Sequence, residues 1–301
     1  MRGFFSRALI AGAGIGAAGF SWGLAEARMF CVRRFELPVL PAGQAPLRVL
    51  HLSDVHLVAR QRAKLRFLAG LASLEPDLVI NTGDNFAEPK AMEPLFEAWA
   101  GLRGTPGVFV FGSNDYYRPK FRNPAAYLLR STAHREEHSP PRDLPWRDLR
   151  DRMQSWGWQD LTHRRVKLAV AGRTIAFRGT DDAHLGLDDY ALVAGPPDDA
   201  DLNIGVTHAP YLRLLDAMAA DRMDLIVAGH THGGQVCVPF KGAIITNCDL
   251  EPARAKGLST HTHGGHTALL HVSAGVGSSP FAPYRFACRP EVSLLTLLPV
   301  A

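Results

Sequence analysis

Cysteine is scarce in this chain. Its four cysteines, Cys31, Cys237, Cys248 and Cys288, match neither a disulfide framework nor CxxC or zinc-ribbon spacing. They read as small buried side chains, which is where free cysteine is commonest. A surplus of one charge is also missing. The 33 basic and 29 acidic residues leave a formal net charge of +4, spread along the chain, so nucleic acid is not expected as a partner. Internal repeats and low-complexity segments are absent apart from a glycine–alanine tract at the amino terminus, which excludes a solenoid or a mainly disordered chain. Long apolar runs are missing from the body of the chain, which excludes a polytopic membrane protein.

The single long uncharged stretch is Ala8–Ala25, preceded by Arg2 and Arg7 and ended by Glu26. A helix over it would reach about 27 Å at about 1.5 Å per residue, close to the hydrocarbon thickness of a bilayer. Five glycines (Gly12, Gly14, Gly16, Gly19, Gly23) lower its hydrophobicity. Three readings stay open: an uncleaved anchor, a cleaved signal peptide ending near Ala25-Glu26-Ala27, and a buried glycine-rich helix. The anchor is preferred. Residues 1–27 are therefore expected to hold the protein at the cell membrane, or to be removed from a secreted form. Arginines flank both sides, with Arg28, Arg33 and Arg34 beyond the stretch, so the membrane face is not set.

What remains is ordinary for a folded protein: 301 residues, 47% apolar and 21% charged, enough for one large α/β domain. Pro38, Pro41 and Pro46 suggest a linker over 28–46. The pattern then repeats strand, loop, helix. Strands are expected at Leu47–Leu52, Leu78–Ile80, Val108–Phe111, Val166–Val170, Thr174–Arg178, Ile204–Thr207, Leu225–Ala228, Leu269–Val272 and Val292–Leu298. Helices are expected at Arg60–Leu74, about Pro94–Leu102 and Arg147–Trp156. Residues 116–165, polar and basic, read as an insertion into a domain spanning 47–301. Its Trp146, Trp156 and Trp158 suit either a substrate groove or packing.

Several strands end on residues that carry chemistry. Asp54-Val55-His56, Gly83-Asp84-Asn85, Gly112-Ser113-Asn114-Asp115, His208 and Gly229-His230-Thr231-His232-Gly233-Gly234 all follow apolar runs. Ligands of open α/β sheets bind outside the carboxyl ends of strands, so these ends can converge on one crevice. Singly each motif is weak, since Asp-x-His and Gly-Asp-Asn are common in turns and caps. Together Asp54, Asp84, His56, His208, His230 and His232 make an N/O ligand set suited to Mn, Fe or Zn. Two such ions, about 3.5–4 Å apart, would activate a water and stabilise an in-line phosphoryl displacement.

This order of motifs resembles the calcineurin-like metallophosphoesterases. Gly233-Gly234-Gln235 is similar to their bacterial, often membrane-anchored, branch. The likeness runs from about Leu47 to Leu298 and includes Arg285-Phe286 and Arg289-Pro290-Glu291. It implies an α/β fold, a βαββαβ two-sheet sandwich with flanking helices and a dinuclear centre in the loops. By the same resemblance Asp54, His56, Asp84 and His232 hold one divalent ion. Asp84 as bridge, His208, His230 and an amide of the third motif hold the other, and a bridging hydroxide attacks phosphorus. The implied activity is hydrolysis of a phosphoric ester or diphosphate, as in a phosphodiesterase, on a phosphorylated small-molecule or lipid substrate. The protein is expected to act as a monomer.

The third motif departs from the family's Gly-Asn-His-Asp/Glu. In direct register Ser113 replaces the amide ligand and Asn114 replaces the histidine that assists the leaving group. A small shift that makes Asn114 the ligand is preferred, because a hydroxyl is the poorer ligand. Asn114, Asp115 and His184 are then the catalytic candidates. His184, in Gly179-Thr180-Asp181-Asp182-Ala183-His184, either faces the site or belongs to a polar turn. Loss of the histidine also keeps a second reading open, a catalytically silent scaffold that binds a protein or lipid. His261, His263 and His266 look like a solvated hairpin tip, and His51 like a satisfied core histidine.

Overall fold

A computed structural model of the chain describes residues 16–121 and 141–300. Its strands are β1 (Cys31–Leu40), β2 (Leu47–Leu52), β3 (Leu78–Asn81), β4 (Gly107–Phe109), β5 (Gln159–Asp160), β6 (Arg164–Val170), β7 (Arg173–Gly179), β8 (Leu202–Thr207), β9 (Leu225–Ala228), β10 (Cys237–Val238), β11 (Gly242–Ala243), β12 (Gly257–His263), β13 (His266–Val272) and β14 (Glu291–Pro299). They build two six-stranded sheets, ordered β1-β14-β2-β3-β4-β5 and β12-β13-β9-β8-β7-β6, and the small hairpin β10-β11. Within the first sheet β2 to β5 run parallel, and within the second β7, β8, β9 and β13 do.

Alternation along the strands explains the layers, because successive side chains point to opposite faces. Leu47, Val49, Leu78, Ile80 and Val108 of the first sheet pack against Ile175, Phe177, Ile204, Val206 and Val227 of the second. The opposite faces are covered by helices. Leu50, Leu52, Val79 and Phe109 meet the helices Arg62–Ala69, Met92–Ala98 and Trp146–Ser155, while Ile226, Ala228, Leu270 and Val272 meet the helix Leu212–Ala220. The fold is mixed α/β with two stacked sheets, as the resemblance implied.

Three expectations are corrected. The expected linker 28–46 carries β1, which pairs in parallel with β14 from Cys31 to Leu40. As an edge strand it tolerates Pro38, whose missing N–H is costly only inside a sheet. The expected insertion is narrower than 116–165. The helix Trp146–Ser155 and β5 belong to the scaffold, with Leu149, Met153 and Trp158 wholly buried; residues 122–140 lie outside the described residues. The expected helix 60–74 breaks at Gly70 into a 3₁₀ turn, Gly70–Leu74, that ends at Glu75 with φ 46°.

Residues 16–26 are helical and lie against the body. The Glu26 carboxylate accepts the N–H groups of Ala287 (3.0 Å) and Cys288 (2.7 Å), and the Gly23 carbonyl accepts that of Arg285 (3.0 Å). Residues 1–15, where the expected anchor begins, lie outside the described residues. Among the described residues no helix is long and apolar enough to cross a membrane, so the expected transmembrane helix has no support here.

Candidate metal centre

β2, β3, β8 and β9 end on the same crevice, and the segments leaving β2, β3 and β9 turn sharply. Asp54, His56, Asp84, His230 and His232 all have positive φ, between 42° and 69°. Non-glycine residues avoid this region, and a cluster of them marks a backbone held in place by its surroundings. The loops brace one another: Asp54 N–H donates to the Gly83 carbonyl and His56 N–H to that of Asp84, each at 2.9 Å. Gly229 is obligatory here, because a Cβ would strike Ser53 Oγ and Asp54 Oδ2.

The side chains converge. His56 Nε2 lies 3.3 Å from Asp84 Oδ2 and 3.9 Å from Asp54 Oδ1, and His232 Nε2 lies 3.8 Å from Asp54 Oδ1. His208 Nε2 lies 3.7 Å from Asp84 Oδ2, and His230 Nδ1 is 3.2 Å from His208 Nε2. Asp84 Oδ2 therefore sits between an imidazole of each half. Among the described residues, two groups have donor atoms close enough together to hold an ion: Asp54, His56 and His232, and Asp54, Asp84 and His208. All six expected residues meet in this one place.

Electrostatics fit a cation. Burial, with neighbouring positive groups, pushes His56 and His230 well below the usual histidine value and His232 down to about 4. Neutral imidazole is the form that ligates. Burial, with Asp54 among the neighbouring carboxylates, holds Asp84 well above the usual carboxylate value. Burial would lower His208, but Asp84, Asp182 and Asp54 outweigh it and raise its affinity for a proton. The carboxylates around His208 thus favour positive charge there, while His56, His230 and His232 stay neutral and free to ligate. Two atoms make the fit specific: Asp54 Oδ1 and His56 Nε2 are buried and have no hydrogen-bond partner, a costly condition that a bound cation relieves.

The third motif opens the helix Ser113–Tyr116. Asn114 is turned to the centre, donating its backbone N–H to Asp84 Oδ1 (2.7 Å) and its side-chain amide to Asp84 Oδ2 (3.0 Å). Ser113 Oγ accepts from the Asn114 amide at 3.2 Å. Asp115, expected among the catalytic residues, has both oxygens committed elsewhere. They accept from the N–H groups of Asp84, Asn85 and Gly112 and from the Asn85 amide, at 2.8–3.0 Å. Asp115 thus positions the Asp84 turn.

His184 does face the site. Its ring stands 4.5 Å from that of His230, and its Nδ1 is 3.1 Å from the Tyr211 hydroxyl. Asp182 read in the sequence as part of a polar turn, yet it is fully buried, pushed up to about 7 by burial, with one oxygen taking the His184 N–H and the other unpartnered. Lys64 and Arg285 were also missed as supports. Lys64 is buried and donates to the Val55 carbonyl at 2.6 Å, while Arg285 donates to the carbonyls of Ala274, Gly277 and His232. Lys64 lies in the expected helix Arg60–Leu74, where a lysine reads as solvent-facing.

His51 is the core histidine expected, but it heads a directed chain. Ser53 donates to Asp54 Oδ2, and Thr82 Oγ1 donates to Ser53 at 2.7 Å. The Thr82 hydroxyl must then accept from His51 Nε2 (2.9 Å), which leaves His51 Nδ1 to accept from His271 Nδ1 (3.0 Å) across the two sheets. The remaining candidates pack. His261 and His263 share Asp216 at 2.7 and 3.3 Å, and His266 reaches the Met223 carbonyl at 3.0 Å. Trp146 packs edge-on against Phe111 and Tyr116, and Trp156 against Phe96.

Comparison with known proteins agrees with this geometry. Residues 47–234 match the family model described as calcineurin-like phosphoesterase. The chain is 30% identical to the uncharacterized protein YpbG of Bacillus subtilis, over 85% of this chain and 82% of that protein. It is 25% identical to the phosphodiesterase YaeI of Escherichia coli, over 91% and 90%. It is 24% identical to the uncharacterized metallophosphoesterase YkuE of Bacillus subtilis, over 86% and 82%. Divalent metals are the cofactors of this family, and the crevice supplies the donors for them. With its strand ends, ligand order and matched residues, this chain belongs to the calcineurin-like phosphoesterases and is a metallophosphoesterase.

Proposed function

We propose that the protein hydrolyses a phosphoric ester or diphosphate bond at a dinuclear centre. Asp54, His56, Asp84 and His232 would hold one divalent ion, and Asp84, Asn114, His208 and His230 the other. The observation that carries this is the pair of orphaned buried atoms, Asp54 Oδ1 and His56 Nε2, beside the neutral imidazoles of His56 and His232. When bound, the ions supply an activated water and neutralise charge on the phosphoryl oxygens. Asn114 rather than Ser113 is the amide aimed at the centre, which supports the shifted register. Asp115, Lys64 and Arg285 keep the loops in their left-handed turns.

The imidazole missing from the third motif is supplied, in this reading, by His184 from the neighbouring loop, hydrogen-bonded to the departing oxygen. The substrate is a small molecule or lipid bearing a phosphate, and residues 1–27 hold the protein at a membrane. The test is metal analysis of the purified chain together with hydrolysis of aryl and alkyl phosphoesters. The wild type should carry up to about two ions and hydrolyse, and Asp84→Ala should lose both ions and activity. His184→Gln should slow alkyl esters more than aryl esters, by up to about 10²-fold. Full metal content in Asp84→Ala overturns the assignment, and equal slowing of both ester types removes His184 from the leaving-group side.

A further inference from the structure

Large apolar side chains left in solvent gather on one rim. Phe20, Trp22, Phe121, Val238, Phe240 and Phe281 are all exposed, Phe240 completely. The segments that carry them are joined. The β10-β11 hairpin is tied to the 281–286 loop by Cys237 N–H to the Phe286 carbonyl (2.8 Å) and Phe286 N–H to the Gln235 carbonyl (3.0 Å). The Gln235 amide adds bonds to the carbonyls of Ala282 and Tyr284. The same loop holds the helix 16–26 through Gly23 and Glu26, and the Phe20 ring lies 6.0 Å from that of Tyr284. Phe281 meets Phe121 edge-on at 6.2 Å. The rim also touches the centre, since Arg285 and Gly277 both bond to His232.

Charge says what covers it. Residues 16–25, 235–248 and 276–289 contain no carboxylate, and Glu26 is buried beneath the loop it caps. Exposed lysines stand beside the exposed phenylalanines, Lys241 after Phe240 and Lys120 before Phe121. The uncharged run that starts at Ala8 enters the described fold at this rim. Apolar tips flanked by two lysines, on segments that carry no acid, suit the interface of a membrane with negative headgroups.

We propose that this rim is a docking surface for an anionic phospholipid bilayer. Phe240, at the hairpin tip, and Phe281 enter the interface, and Lys241 and Lys120 rest on the headgroups. Docking sets the centre next to the headgroup layer, which adds a lipid-borne phosphate to the hydrolytic reading; the docking itself does not depend on that reading.

The experiment is hydrogen–deuterium exchange of the full chain, alone and with vesicles of phosphatidylcholine or of phosphatidylcholine with phosphatidylglycerol. Residues 236–244 and 279–286 should exchange about tenfold more slowly with the anionic vesicles, and Phe240→Asp with Lys241→Glu should abolish that protection. Protection confined to residues 1–26, or equal in neutral vesicles and in the double variant, overturns the proposal. So does slow exchange of 236–244 that vesicles do not change, which would mean that the chain's own residues cover the hairpin. Metal-dependent hydrolysis of a soluble aryl ester, unchanged in the double variant, keeps this outcome separate from failure of the hydrolase reading.

Discussion

His51 and His271 meet between the two sheets with no carboxylate beside them, and this makes the core sensitive to acid. Burial pushes His271 down from 6.5 to about 3, and burial together with His271 pushes His51 well below 6.5. The surroundings are the Phe35 ring, 5.0 Å from His271, and the Thr82 hydroxyl on His51. Below pH 6.5 the unfolded chain therefore binds protons that the folded chain refuses. Stability contributed by the neutral pair is full above that pH and falls as pH drops toward 3. For His271 alone the loss between pH 7 and pH 5 comes to about 2 kcal/mol, a large part of a typical net stability. Urea unfolding of the wild type and of His271→Gln, both with chelator, isolates this from other groups. The stability gap between them should shift by about 2 kcal/mol toward the variant on going from pH 7 to pH 5. A gap independent of pH, or a His271 ring resonance that titrates near pH 6, would refute the reasoning.

Two further outcomes test the geometry of the third motif. Gly112→Ala places a methyl against the Asp84 carboxylate and 2.5 Å from His208 Cε1. It should weaken metal binding about 10–100-fold and lower stability by about 1–3 kcal/mol, read by calorimetric titration and thermal unfolding. On the proposed two-ion reading, Asn114→His removes the amide aimed at Asp84 and should deplete one ion while sparing the other. Elemental analysis after dialysis checks this, and unchanged metal content with unchanged leaving-group dependence would mean that Asn114 points elsewhere.

Strand positions were legible because apolar alternation is a local signal. Leu47–Leu52 and Leu225–Ala228 were read to the residue. β1 was not, because three prolines in 28–46 look like a linker until β14, more than 250 residues later, offers an edge to pair with. The candidate donor residues were legible for a related reason: each follows an apolar run, and Asp84, His208, His230 and His232 also sit near glycine. Asp182, Lys64 and the partner of His51 were not, because their meaning depends on burial and on contacts across the two sheets. His271 lies on the far sheet from His51, and no periodicity announces that they touch.

The left-handed turns were the least legible feature, and they bear most on how the centre works. Five ligand residues with positive φ, each costing about 1–2 kcal/mol relative to ordinary backbone, together store strain comparable to the whole net stability of a domain. Something must hold them. Asp115 takes the N–H groups on either side of the Asp84 turn, Arg285 takes the carbonyl of His232, and Lys64 takes the carbonyl between Asp54 and His56. These supports lie around the ligands and leave Asp54 Oδ1 and His56 Nε2 without partners. The supports hold the turns without using the unpaired donor atoms, which are the part of the arrangement that an ion would complete. A preformed, strained cage concentrates binding free energy on the ions themselves, so metal loading should stabilise the fold while moving its loops little.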